Sequence, residues 1–103
     1  MLHQLIAAAL MAGLPALACA QQAQAFHLQG LAATCASCHG THGRAAEGSP
    51  LPSLAGMPRD RMVAQLKAFK AGTQPATIMH QLAKGYSDAQ IEQLAGYFAA
   101  QKR

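Results

Sequence analysis

The sequence predicts an all-α domain of about four short helices, and three observations support it. Apolar residues recur at three- and four-residue spacings in several stretches, and no segment shows the two-residue alternation of a half-buried strand. Ser87-Asp88-Ala89-Gln90 is a capping box, a serine followed three residues later by glutamine, just ahead of an apolar stripe at Ile91, Leu94, Ala95 and Phe98. Cys35-Ala36-Ser37-Cys38-His39 sets two sulfurs and an imidazole close together, giving short helices a centre to pack around.

The first twenty residues hold no charged side chain, are rich in Leu and Ala, and end in Ala18-Cys19-Ala20. Small residues spaced in this way fit a signal-peptidase site, so residues 1–20 read as a cleaved export signal and residues 21–103 as the working domain. Cleavage after Ala18, an acylated Cys19 and an uncleaved membrane anchor are the competing readings. Gly13 and Pro15 make the stretch marginal as a spanning helix, and no stable membrane insertion is expected after cleavage. Export places the domain in the periplasm, where thiols oxidise. Removal of Cys19 leaves Cys35 and Cys38 alone, too few for a disulfide scaffold.

Gln21 to Ala25 reads as a frayed start. Phe26, Gly30 and Ala33 fall on one face of a short helix running from about Ala25 into the cysteine motif. Gly30 weakens that helix unless another packs closely against it. Residues 40–56 hold four glycines and two prolines without periodicity and form a loop. Pro52 and Leu54 are candidates for the wall of a cofactor site there. Pro58 opens the next helix, in which Met62, Leu66 and Phe69 form an apolar stripe with Val63 beside it, Lys67 and Lys70 face away, and Gly72 marks the end. Residues 77–84 form a short helix closed by Gly85, and the capped helix follows from Ser87. Lys102 and Arg103 lie at its C-terminal end, where they complement the helix dipole.

The charge is basic, with eight Lys and Arg against four Asp and Glu, all of them after residue 20. The bases are scattered, and no dense run suggests nucleic acid. Scattered basic charge serves solubility, and equally serves steering toward an acidic partner.

Cys35-x-x-Cys38-His39 has the spacing of a c-type haem attachment sequence, in which each sulfur takes one vinyl group and the histidine binds the iron. A zinc site completed by His39 and His42, or a redox dithiol, are the alternatives; the histidines crowd too closely behind Cys38 for the usual zinc spacing. A haem would also supply apolar core that so short a chain lacks. His39 then needs an acceptor for its second ring nitrogen. The remaining iron position decides the chemistry. A thioether there suits electron transfer, whereas an open site suits a haem enzyme or a sensor. Met62 belongs to a core stripe and Met57 stands at a helix start. Met79 lies forty residues beyond His39, past a helix, where the chain can return over the opposite haem face. Met79 is the expected ligand and His80 its rival.

These segments resemble a small bacterial class I cytochrome c. The likeness rests on Cys35 to His39, on Leu51-Pro-Ser-Leu-Ala-Gly56, on Met79, and on the ending from Gly85 to Phe98. It implies an all-α class I cytochrome c fold of about four short helices around one covalent haem c. It also implies that the first and last helices cross near Gly30 and Tyr97, that the Pro52 carbonyl accepts the His39 ring proton, and that Met79 is the sixth ligand. Cys38-His-Gly-Thr-His-Gly43, Phe69-Lys-Ala-Gly72 and the run from Thr77 to Ser87 are similar to the cytochrome subunit of flavocytochrome c sulfide dehydrogenase. That likeness implies a flavoprotein sulfide dehydrogenase subunit as partner. A free shuttle to another redox protein, such as a terminal oxidase or reaction centre, is the alternative. With a single C-x-x-C-H, the chain departs from the two-haem members of that family.

Overall fold

A computed structural model describes the backbone of residues 2–103 and the side chains of residues 15–103. Among the described residues it contains helices and loops and no strand. The elements are α1 (Leu2–Ala33), α2 (Ala36–His39), a 3-10 turn (Thr41–Gly43), α3 (Arg59–Ala71), α4 (Met79–Lys84) and α5 (Asp88–Ala99). No helix among them is long and apolar enough to cross a membrane.

The first helix departs from expectation in two ways. It runs unbroken through residues 21–25 instead of starting near Ala25. That segment is all Gln and Ala, both good helix formers, so nothing there stops propagation. Phe26, Gly30 and Ala33 lie exposed, and the face turned inward is Leu28, Leu31, Ala32 and Cys35. Leu28, Leu31, Ala32 and Cys35 also keep i, i+3, i+4, i+7 spacing and bring more apolar volume than a stripe containing glycine. A Cβ at Gly30 would meet nothing within 4 Å, so Gly30 is not a point of close helix approach. Contact with α5 comes one turn later, where Ala32 and Ala33 share a small cleft with Tyr97.

α3 follows Pro58 and ends at Gly72, whose left-handed backbone returns its N–H to the Ala68 and Phe69 carbonyls. Lys67 and Lys70 do not face away. Lys67 and Arg59 pair with Glu92, and Lys70 pairs with Asp88 and donates to the Tyr86 carbonyl, so these bases flank the α3–α5 seam. Such exposed pairs contribute little individually, about 0.2–1 kcal/mol each. α4 begins two residues later than the sequence suggests, with Ile78 as its first flanking residue.

α5 carries the capping box in full. Ser87 Oγ accepts from the Gln90 N–H at 3.1 Å, and Gln90 Oε1 accepts from the Ser87 N–H at 2.9 Å. Its inner face, Ile91, Leu94, Ala95 and Phe98, supplies the largest buried side chains. The helix stops at Ala99, so Lys102 and Arg103 lie beyond its last turn and fold back toward the loop. The core is thin: of the buried apolar residues described, four are alanines.

Candidate haem site

The cysteine motif forms one helical turn directly after α1. The His39 N–H and the Cys38 N–H both donate to the Cys35 carbonyl, at 2.9 and 3.3 Å. Residues three and four apart are neighbours on a helix surface, so this turn places Cys38 and His39 each next to Cys35. Both thiols are free; Cys35 is half-buried and Cys38 exposed. Burial pushes the Cys35 thiol up, the neighbouring Cys38 adds to this, and a hydrogen bond with Thr34 opposes it. Among the described residues no three His, Cys, Asp or Glu side chains gather as a metal-binding group.

His39 is buried, with 9% of its surface exposed. Its Nδ1 lies 2.7 Å from the Pro52 carbonyl oxygen. A carbonyl only accepts, so Nδ1 carries the proton and Nε2 presents its lone pair. A neutral imidazole held by one nitrogen and open at the other is the form that ligates iron.

The Pro52 carbonyl is placed by a junction centred on Gly43. The Gly43 carbonyl accepts three hydrogen bonds, from Leu54 N–H at 2.7 Å, Ala55 N–H at 3.0 Å and Ser53 Oγ–H at 2.7 Å. Leu54 packs onto the core cluster that contains Phe98. The Gly56 N–H then donates to the Phe98 carbonyl at 2.9 Å, tying the segment to α5. Gly43 and Gly56 escape a sequence reading because their roles rest on backbone groups, and Ser53 because its hydroxyl meets a backbone carbonyl ten residues away. The only hint is that they cluster around Pro52.

His42 does not face the motif as a ligand would. Its backbone is left-handed, with φ of 53°, and its Nδ1 shares a 2.9 Å hydrogen bond with the Tyr97 hydroxyl. Met57 and Met62 are buried in the protein core, at 9% and 3% exposure. Met79 opens α4 and is half-buried. His80 beside it has a buried Nδ1 without a hydrogen-bond partner. Leu51, Ile78 and Leu82 are large apolar side chains left exposed, at 43%, 55% and 46%. Leu51 adjoins Pro52 in the chain, and Ile78 and Leu82 lie within one helical turn of Met79. The free thiols, the oriented imidazole and these uncovered side chains fit a covalently held haem.

A cytochrome c family profile matches residues 29–102. The chain is 38% identical over 68 residues to the cytochrome subunit of sulfide dehydrogenase of Chlorobaculum tepidum, covering 66% of this chain and 60% of that protein. It is 37% identical over 71 residues to a thiosulfate dehydrogenase electron acceptor of Thiomonas intermedia, covering 69% of this chain and 33% of the other. The solved structure of Acidithiobacillus ferrooxidans cytochrome c4 superposes with a TM-score of 0.60 at 38% identity, over 64% of this chain and 37% of that one. The chain thus spans between a third and three fifths of the length of these curated relatives. Sequence and fold agree: the chain belongs to the cytochrome c family and has its all-helical class I fold.

Proposed function

We propose that this chain is the electron-accepting cytochrome subunit of a sulfide-oxidising flavoprotein complex, exported to the periplasm with residues 1–20 removed and residues 21–103 as its working domain. Cys35 and Cys38 hold one haem c through thioethers. His39 Nε2 and Met79 Sδ would ligate its iron, and Pro52 and Leu54 would line the histidine side. When bound, the haem supplies a one-electron couple whose potential a thioether ligand raises.

The observation that carries this reading is the His39–Pro52 hydrogen bond. It fixes the tautomer, aims the free nitrogen and makes the imidazole a stronger ligand. Met79 is favoured because Met57 and Met62 are already spent on the core. The flavoprotein partner rests on the likeness to the Chlorobaculum subunit and on the motifs shared with that family.

Visible spectroscopy of the oxidised holoprotein tests the ligands. The weak sulfur-to-iron charge-transfer band should be present, disappear in Met79→Ala, and persist in Met62→Ala and His80→Ala. A high-spin resting spectrum with rapid carbon monoxide binding would refute the reading. For the partner, the native protein should co-purify with a flavoprotein and be reduced by sulfide only in its presence.

A further inference from the structure

On the outer side of the Pro52 segment lies an open cleft of about 400 Å³, between the loop, the start of α3 and the end of the chain. Three guanidinium groups border it, from Arg44, Arg61 and Arg103, with Pro52, Ala55 and Met57 contributing apolar surface. No carboxylate side chain lines it. The acidic side chains that form ion pairs, Asp60, Asp88 and Glu92, are spent elsewhere on Arg59, Lys67 and Lys70.

Two of the three arginines are held in place. Arg44 Nε donates to the Lys102 carbonyl at 2.7 Å, and Arg103 Nη2 donates to the Gly56 carbonyl at 3.2 Å. The Arg103 stem lies in a cradle that Gly56 leaves open: a Cβ there would come within 2.7 Å of Arg103 Cγ. Each guanidinium has five N–H donors, so one anchoring bond leaves the rest of the fork free for a carboxylate. Anchoring also reduces the entropy lost on binding.

We infer that this arginine cleft is a docking surface for an acidic segment of the redox partner, whose Asp or Glu side chains pair with Arg44, Arg61 and Arg103. The inference rests on the electron-transfer reading above and names the surface through which the partner is held. A lone small anion suits the cleft poorly, because the space is larger than one and the apolar surface would stay uncovered. An acidic chain segment fills the volume and meets both the charged rim and the apolar walls. Pro52 connects this surface to His39 through a single hydrogen bond, so docking takes place next to the group that orients the iron ligand.

The test titrates ¹⁵N-labelled holoprotein with hexaglutamate at low ionic strength and follows the arginine Nε–H resonances. The Arg44, Arg61 and Arg103 signals should shift together while that of Arg59 stays put. Arg61→Gln should weaken binding about two- to fivefold, the loss expected of one exposed ion pair. Arg61→Lys should restore part of it, and the triple glutamine variant should abolish it. Lys84→Gln removes the same charge elsewhere and should change nothing. The inference is overturned if Lys84→Gln weakens binding as much as Arg61→Gln, if sulfate alone saturates the same resonances at equal affinity, or if the three signals do not respond. The charge-transfer band recorded on the same samples keeps the two readings apart. An intact band with a silent cleft rejects only the docking surface, and a missing band with a responding cleft rejects only the Met79 ligand.

Discussion

Replacing Gly43 by alanine strikes the junction that holds Pro52 beneath His39. Gly43 has φ of 76°, in the left-handed region, where an L-residue costs about 1–2 kcal/mol. A Cβ at that position would lie 2.7 Å from Phe98 Cδ1 and 2.9 Å from Leu54 Cβ. Phe98 is among the most buried side chains described and cannot swing aside freely. Overpacking of this kind adds about 1–3 kcal/mol, for a total of roughly 2–5 kcal/mol. Gly48 is the internal control, since its φ is also 76° but a Cβ would meet nothing within 4 Å. Gly48→Ala should therefore cost only the backbone part, about 1–2 kcal/mol. Denaturant unfolding of the two holoprotein variants, followed by circular dichroism, gives the difference. A second readout is the reduction potential. If the three donors on the Gly43 carbonyl are displaced, Pro52 moves, His39 loses its acceptor and becomes a weaker ligand, and the potential of Gly43→Ala should rise while that of Gly48→Ala does not. Equal destabilisation by the two substitutions, with equal potentials, would refute the argument that Gly43 organises the histidine side.

Gly30→Ala should stabilise the holoprotein by up to about 1 kcal/mol in the same unfolding assay, because Gly30 is helical, exposed and without a close neighbour. Ser87→Ala should cost about 1 kcal/mol, since it removes the oxygen that accepts from the Gln90 N–H at the start of the best-packed helix. Cys35→Ala/Cys38→Ala, which removes both proposed haem-attachment thiols, should lose cooperative thermal unfolding by circular dichroism. The core is thin and alanine-rich, and Leu51, Ile78 and Leu82 would stay exposed without the cofactor.

How far the sequence was legible depends on the range of the interaction in each element. The Ser87–Gln90 box, the inner face of α5, the end of α3 at Gly72 and the one-turn cysteine motif are set by residues within about one or two helical turns, and short-range spacing captures them. The inward face of α1 is not fixed by spacing, because two stripes satisfy helical periodicity there. Only contact with the rest of the fold chooses Leu28, Leu31, Ala32 and Cys35 over Phe26, Gly30 and Ala33. Lys67 and Lys70 look like solvated charges until α5 brings Glu92 and Asp88 alongside.

The loop is the part least readable from spacing, and its order comes from α5. Gly56 is bonded to the Phe98 carbonyl, Gly43 sits against the Phe98 ring, and His42 is fixed by the Tyr97 hydroxyl. These contacts span more than forty residues, so no local pattern announces them. The most regular helix thus serves as a template for the least regular segment, and that segment supplies the carbonyl that orients His39. Shortening or fraying the end of α5 should therefore reach the His39 ring through Gly43 and Pro52 without touching the two cysteines. It also explains why the stretch with the fewest secondary-structure signals holds the histidine contact on its inner side and the arginine cleft on its outer side. A helix in its place would satisfy its own carbonyls internally and leave no free Pro52 oxygen for the imidazole.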